Sequence, residues 1–168
     1  MQYKSISPNL LQHKNACLPI ALATIFPDKM IQVKSEKDGY SFGQMYKFGV
    51  ECEVLITPCK KDFDYPALIE KIQGELTEGS ATILFISYII LATNELHFTA
   101  LVLSKTGWAF VDALPEKGQI KSGRFWNLDK EDLYIYLSYY IPLGFAIWSE
   151  QGKIKQAPIA QFSHLFDE

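Results

Sequence analysis

Three side chains far apart in the sequence, Cys17, His97 and Asp112, have the types needed for thiol-based nucleophilic chemistry. Cys17 stands in Asn15-Ala16-Cys17-Leu18-Pro19-Ile20-Ala21-Leu22, a stretch that reads as a loop turning into a helix just after the cysteine. Pro19 suits the first turn of a helix, where a missing N–H costs nothing. Ile20, Leu22, Ala23 and Phe26 then give an apolar face, and Pro27 stops the run. A cysteine at a helix start lies beside unpaired N–H groups and the positive end of the dipole. That position favours an anion, the condition for a nucleophilic cysteine.

Such a thiol needs a base beside it and a third group to orient the base. His97 and Asp112 qualify through a geometric argument. Residues 96–103 and 108–112 read as the arms of a hairpin, with Ser104-Lys105-Thr106-Gly107 as its turn. A turn over 104–107 pairs Leu103 with Trp108 and sets Thr99 opposite Asp112. His97 is then diagonal to Asp112, on the same face and within reach. A turn shorter by one residue would put the two on opposite faces. Taken singly, His97 reads as a core histidine and Asp112 as a surface residue; their conjunction with Cys17 shifts the balance. Gln12 could join the Cys17 N–H in holding an oxyanion, with Asn15 as its competitor for that amide role. His13 and His164 read as surface residues.

The elements that must position these groups follow in order. Residues 1–14 read as an extended lead-in. The first helix covers about Leu18–Phe26, and Asp28 to Gly39 reads as a charged loop. Ser41 caps a short helix that Gly49 ends. Val50, Cys52, Val54 and Ile56 suggest a strand stopped by Pro58, with Cys52 a buried structural thiol. Asp64 and Pro66 open an amphipathic helix with Leu68, Ile69, Ile72 and Leu76 on one side, closed by Gly79. The run from Ala81 is apolar on both faces and reads as a central strand, followed by a turn at Asn94-Glu95. Beyond the hairpin, 116–125 reads as a polar loop. Asp129 caps a helix carrying Leu133, Tyr134 and Leu137; Pro142 ends it, and Gly144–Trp148 is the last strand. The tail from Ser149, with Ile159, Phe162, Leu165 and Phe166, reads as an add-on. Helices come first and strands cluster later, which predicts an α+β fold in one domain over residues 1–168.

Composition narrows the function. The net charge is −3, and Arg124 is the one arginine, which excludes a basic nucleic-acid stripe. No uncharged apolar run is long enough to span a bilayer, so no membrane insertion is expected. The first residues lack the apolar stretch of a signal peptide, so synthesis in the cytoplasm is expected. Secretion or delivery to a target cell without a cleaved signal stays open. Three cysteines, Cys17, Cys52 and Cys59, make no disulfide framework. No metal and no cofactor are required by this chemistry.

With these residues in hand, the chain resembles papain-fold cysteine hydrolases, and most nearly the bacteriocin-processing (double-glycine) peptidases. Those carry a glutamine shortly before the nucleophilic cysteine, here Gln12 and Cys17. They have a strand beginning His-Phe, here His97-Phe98, and an aspartate one hairpin later, here Asp112. Ala16 and Leu18 replace the family's acidic residue and glycine around the cysteine, and Ala113 replaces the proline after the aspartate. The resemblance covers roughly residues 10–150 as an order of elements. It implies a papain-like fold, with an N-terminal helical part and the nucleophile helix packed on an antiparallel sheet. It also implies cleavage of an amide bond in a peptide or protein substrate through an acyl-thioester. Papain-like glutamine deamidase effectors and toxins use the same Cys-His-Asp triad and stand as the alternative. A non-catalytic binding module with an inert Cys17 is the third reading. Oligomeric state is not readable from the sequence.

Overall fold

The computed structural model describes the chain apart from residues 1, 7, 12–15, 34–39, 60–63, 91–94, 113–122, 127–130, 132, 135–140 and 167–168. Along it run strand β1 (Gln2–Lys4) and helices α1 (Pro8–Leu11) and α2 (Cys17–Ile25), then a 3-10 turn at Pro27–Lys29. Helix α3 (Phe42–Glu51), strand β2 (Ile56–Cys59) and helix α4 (Tyr65–Glu75) follow. Next come strands β3 (Ser80–Ile90), β4 (Glu95–Ser104), β5 (Trp108–Asp112), β6 (Gly123–Trp126) and β7 (Ile141–Glu150). The chain closes with β8 (Lys153–Ile154), β9 (Ala157–Pro158), a second 3-10 turn (Ile159–Phe162) and α5 (Ser163–Phe166). The fold is α+β: helices on one open sheet of order β1-β6-β5-β4-β3-β7-β2. Every pairing along that path is antiparallel.

Strand β3 is central because its side chains are apolar on both sides, as the sequence predicts. Ala81, Ile83 and Phe85 join one core with α2, α3, Phe98, Ala100, Val102, Ala109 and Val111. Leu84 and Ile86 join a second with Ile69 and Ile72 of α4, Leu76 at that helix's end, Leu101, Leu103, Phe110 and Leu133. Two apolar layers thus sandwich the sheet, and α2, buried along nearly all its length, fills the first of them. No helix among the described residues is long and apolar enough to cross a membrane.

Several elements depart from the sequence expectation. Ser41 does cap α3, in a reciprocal capping box with Gln44. Gly49 does not end that helix, which runs on to Glu51, and the strand starts only at Ile56. Gly49 serves a close approach instead. The chain doubles back so that the Val54 N–H donates to the Gly49 carbonyl at 2.9 Å. A Cβ on Gly49 would lie 2.5 Å from the Val54 oxygen. Gly49→Ala should therefore cost about 1–3 kcal/mol in urea unfolding, and an unchanged midpoint would contradict this account. Cys52 caps the end of α3, half-buried, rather than lying in a strand.

Pro58 lies inside β2 rather than ending it, on a terminal strand of the sheet path, where a missing donor is tolerated. Pro142 lies inside β7, opposite Tyr88, at the register shift between Ser87 and Tyr88. The expected loop at 116–125 contains the start of β6, held between β5 and β1. The expected lead-in forms β1 and α1, and β8 and β9 follow the strand expected to be last. Glu95 already belongs to β4. Glu131, Leu133 and Tyr134 are helical, as expected. Asn94, Asp129 and Leu137 lie outside the described residues.

Candidate functional site

The hairpin fixes the first half of the site. The Ser104 N–H donates to the Gly107 carbonyl at 2.9 Å, and the Gly107 N–H donates to Ser104 Oγ at 3.0 Å. These bonds lock the turn, so Leu103 pairs with Trp108 and Thr99 with Asp112. This is the register read from the sequence. His97 and Asp112 consequently share a face, and His97 Nε2 lies 2.7 Å from Asp112 Oδ1. A carboxylate only accepts hydrogen bonds, so Nε2 carries a proton and Nδ1 is the ring nitrogen left for another partner. Both residues are buried, His97 at 2% and Asp112 at 1% exposure.

Burial by itself would lower the His97 pKa, because it penalises the charged ring. The Asp112 carboxylate outweighs it through charge and hydrogen bonding, and a smaller contribution comes from hydrogen bonding to Cys17. The net effect raises His97 to about 10. The pair with Asp112 therefore favours the protonated ring at neutral pH.

Helix α2 supplies the other half. Cys17 is its first residue and is 7% exposed. The preceding Ala16 offers no side-chain cap, and the first turn closes through the Ile20 N–H to the Ala16 carbonyl at 3.0 Å. The backbone N–H groups of Cys17 and Leu18 thus have no partner within the helix. Most of α2 packs over the sheet face of Ala100, Val102, Ala109 and Val111. Alternation turns His97 and Asp112 to the opposite face. The Cys17–His97 contact is therefore made at the sheet's end, away from the 104–107 turn, where β5 stops at Asp112.

The far end of α2 is anchored by the tail. Phe162 meets Phe26 and Trp148 edge-on, with ring centres 6.0 and 5.8 Å apart. His164, expected on the surface, is half-buried, its Nε2 3.0 Å from the Thr24 carbonyl oxygen. That tail is part of the core, since Phe162 and Leu165 are fully buried.

Cys17, His97 and Asp112 are thus brought together, while Gln12, His13 and Asn15 lie outside the described residues. Sequence reasoning missed a second feature, a groove of about 590 Å³ between residues 28–32 and the C-terminal half of α3. Met30 and Glu53, which line it, have left-handed backbones without being glycine, and so carry no sequence signature. No protein-family model matches the chain, and no curated protein matches it significantly.

Proposed function

We propose that the chain is a thiol hydrolase of papain-like architecture that cleaves an amide bond in a peptide or protein substrate. The observation that carries this reading is the buried His97–Asp112 pair at 2.7 Å, with Cys17 hydrogen-bonded to the same ring. An imidazolium beside a sulfur is the charge state that supports a nucleophilic thiolate. Cys17 Sγ attacks the substrate carbonyl, and its own N–H, with the amide of Gln12 or Asn15, receives the developing oxyanion. His97 protonates the leaving nitrogen as the C–N bond breaks, leaving an acyl-thioester. Water then attacks, giving its proton to His97, and the acid departs with the thiol restored. Asp112 fixes the tautomer and steadies the imidazolium throughout.

The test is intact-mass analysis of candidate proteins incubated with the wild type and with Cys17→Ala. The expected result is new fragments in the first case and none in the second. A substrate that keeps its length but shows one amide converted to acid would make the enzyme a glutamine deamidase. Equal activity in both preparations would remove Cys17 from the chemistry.

A further inference from the structure

Imidazoles hold both ends of helix α2. At its start, Cys17 is hydrogen-bonded to the His97 ring. In its last turn, the Thr24 carbonyl oxygen lies 3.0 Å from His164 Nε2. A carbonyl only accepts, so Nε2 carries the proton of this bond. The helix has no substitute for it. α2 ends at Ile25, so Thr24 finds no N–H four residues further on within the helix.

Both attachments trace back to strand β3. β4, which carries His97, pairs with β3 from Ala81 to Ile90. The tail that carries His164 is pinned to the start of the same strand. Ala157 and Pro158 pair with Ala81 and Ser80, and the Ile159 N–H donates to the Gly79 carbonyl at 2.9 Å. Phe162 then seats against Phe26 and Trp148, whose rings meet each other with centres 5.6 Å apart. Trp148 belongs to β7, the other neighbour of β3. Two points fixed to one sheet therefore set where α2 sits along its own axis. The sheet face beneath it is less decisive: it includes Ala100 and Ala109, and so short a side chain makes a shallow ridge for a helix to lock against.

We propose that His164 is a positioning residue for Cys17, acting through α2 from the far end of the helix. It lies in the last turn's reach and not at the thiol: Thr24 is seven residues on from Cys17, roughly 10 Å along the axis. A slip by one residue's rise, about 1.5 Å, would pull the sulfur off the His97 ring. A misplacement of about 1 Å can lower a rate by roughly a hundredfold. The proposal rests on the thiol-hydrolase reading for the chemistry that the placement serves, but the placement itself is measurable without it.

The experiment compares His164→Leu, which keeps bulk and loses the donor, with His164→Gln, whose amide nitrogen replaces Nε2. Gly49→Ala, which loosens α3 instead, controls for lost stability, and urea unfolding ranks all three. Labelling of Cys17 by iodoacetamide at pH 6 should slow on the order of tenfold in His164→Leu, within the range a small misplacement commands. It should stay near the wild-type rate in His164→Gln and Gly49→Ala. His164→Asn, whose amide stops about one bond short, takes the place of the leucine variant if that one does not fold. Unchanged labelling without the donor overturns the proposal. So does equal slowing in Gly49→Ala, which would make the effect one of general stability, or a glutamine variant as slow as the leucine one. A second readout needs no reactive thiol. The His97 ring signals in histidine-labelled NMR spectra should move in His164→Leu and return in His164→Gln. If wild-type Cys17 labels no faster than the other thiols, the hydrolase reading falls, and these signals alone decide: movement with rescue supports the positioning role, and unmoved signals overturn it.

Discussion

Cys17→Ala should lower turnover by roughly four orders of magnitude, the scale on which triad members act as a unit. The fold should survive, because the substitution removes only a sulfur at the helix start and leaves the buried Leu18, Ile20, Leu22 and Ile25 in place. A second measurement needs no substrate. Iodoacetamide at pH 6 should add one label to the wild-type protein, and peptide mapping should find it on Cys17 ahead of Cys52 and Cys59. The reason is the His97 ring held against the sulfur. His97→Ala should slow that labelling by about tenfold or more, because it removes the ring held against the sulfur. If Cys17 reacts no faster than the other two, the thiol is inert and the chain is a binding module. If turnover persists in Cys17→Ala, the nucleophile lies elsewhere.

The site was legible where local rules decide it, and illegible where distant strands do. Ser104 and Gly107 hold the turn with bonds inside the turn itself, so the register that faces His97 toward Asp112 follows from a short stretch. The start of α2 is local in the same way, set by Pro19 and the apolar run behind it. Gly49 misled because glycine both ends helices and permits close approach; only the returning Val54 carbonyl distinguishes the two uses. Pro58 and Pro142 misled for a related reason. A proline is tolerated in a terminal strand or beside a bulge, and neither status can be known before the sheet is assembled. Strand β6 has only four residues and gains its partners from β1 and β5, so no periodicity could announce it. His164 looked like a surface residue because its partner, the Thr24 carbonyl, is 140 positions away.

The pH dependence of the pair offers the second large effect. His97 is raised from an ordinary 6.5 to about 10, because Asp112 outweighs the opposing effect of burial. A folded-state value above the unfolded one stabilises the protein fully below pH 6.5, and that contribution is lost as pH climbs through about 10. Asp112→Asn removes the carboxylate and leaves burial, which pushes the ring's pKa down, as the main influence. The sign then reverses: the variant's His97 costs stability as pH falls below 6.5. Breaking a buried ion pair costs roughly 3–5 kcal/mol, an upper bound here because the ring can shed its proton. Thermal melts at pH 6, 8 and 10 should therefore show the wild type losing its advantage over Asp112→Asn toward pH 10. Labelling of Cys17 should carry the same signature. In the wild type the imidazolium persists to about pH 10, so the influence of the ring on the sulfur extends well into the alkaline range. In Asp112→Asn that influence should end below neutrality, although Asn can still accept the Nε2 proton and hold the ring in place. Superimposable melting and labelling profiles for the two proteins would mean that Asp112 does not set the charge of His97. The hydrogen bond at 2.7 Å would then be a structural contact with no part in tuning the thiol.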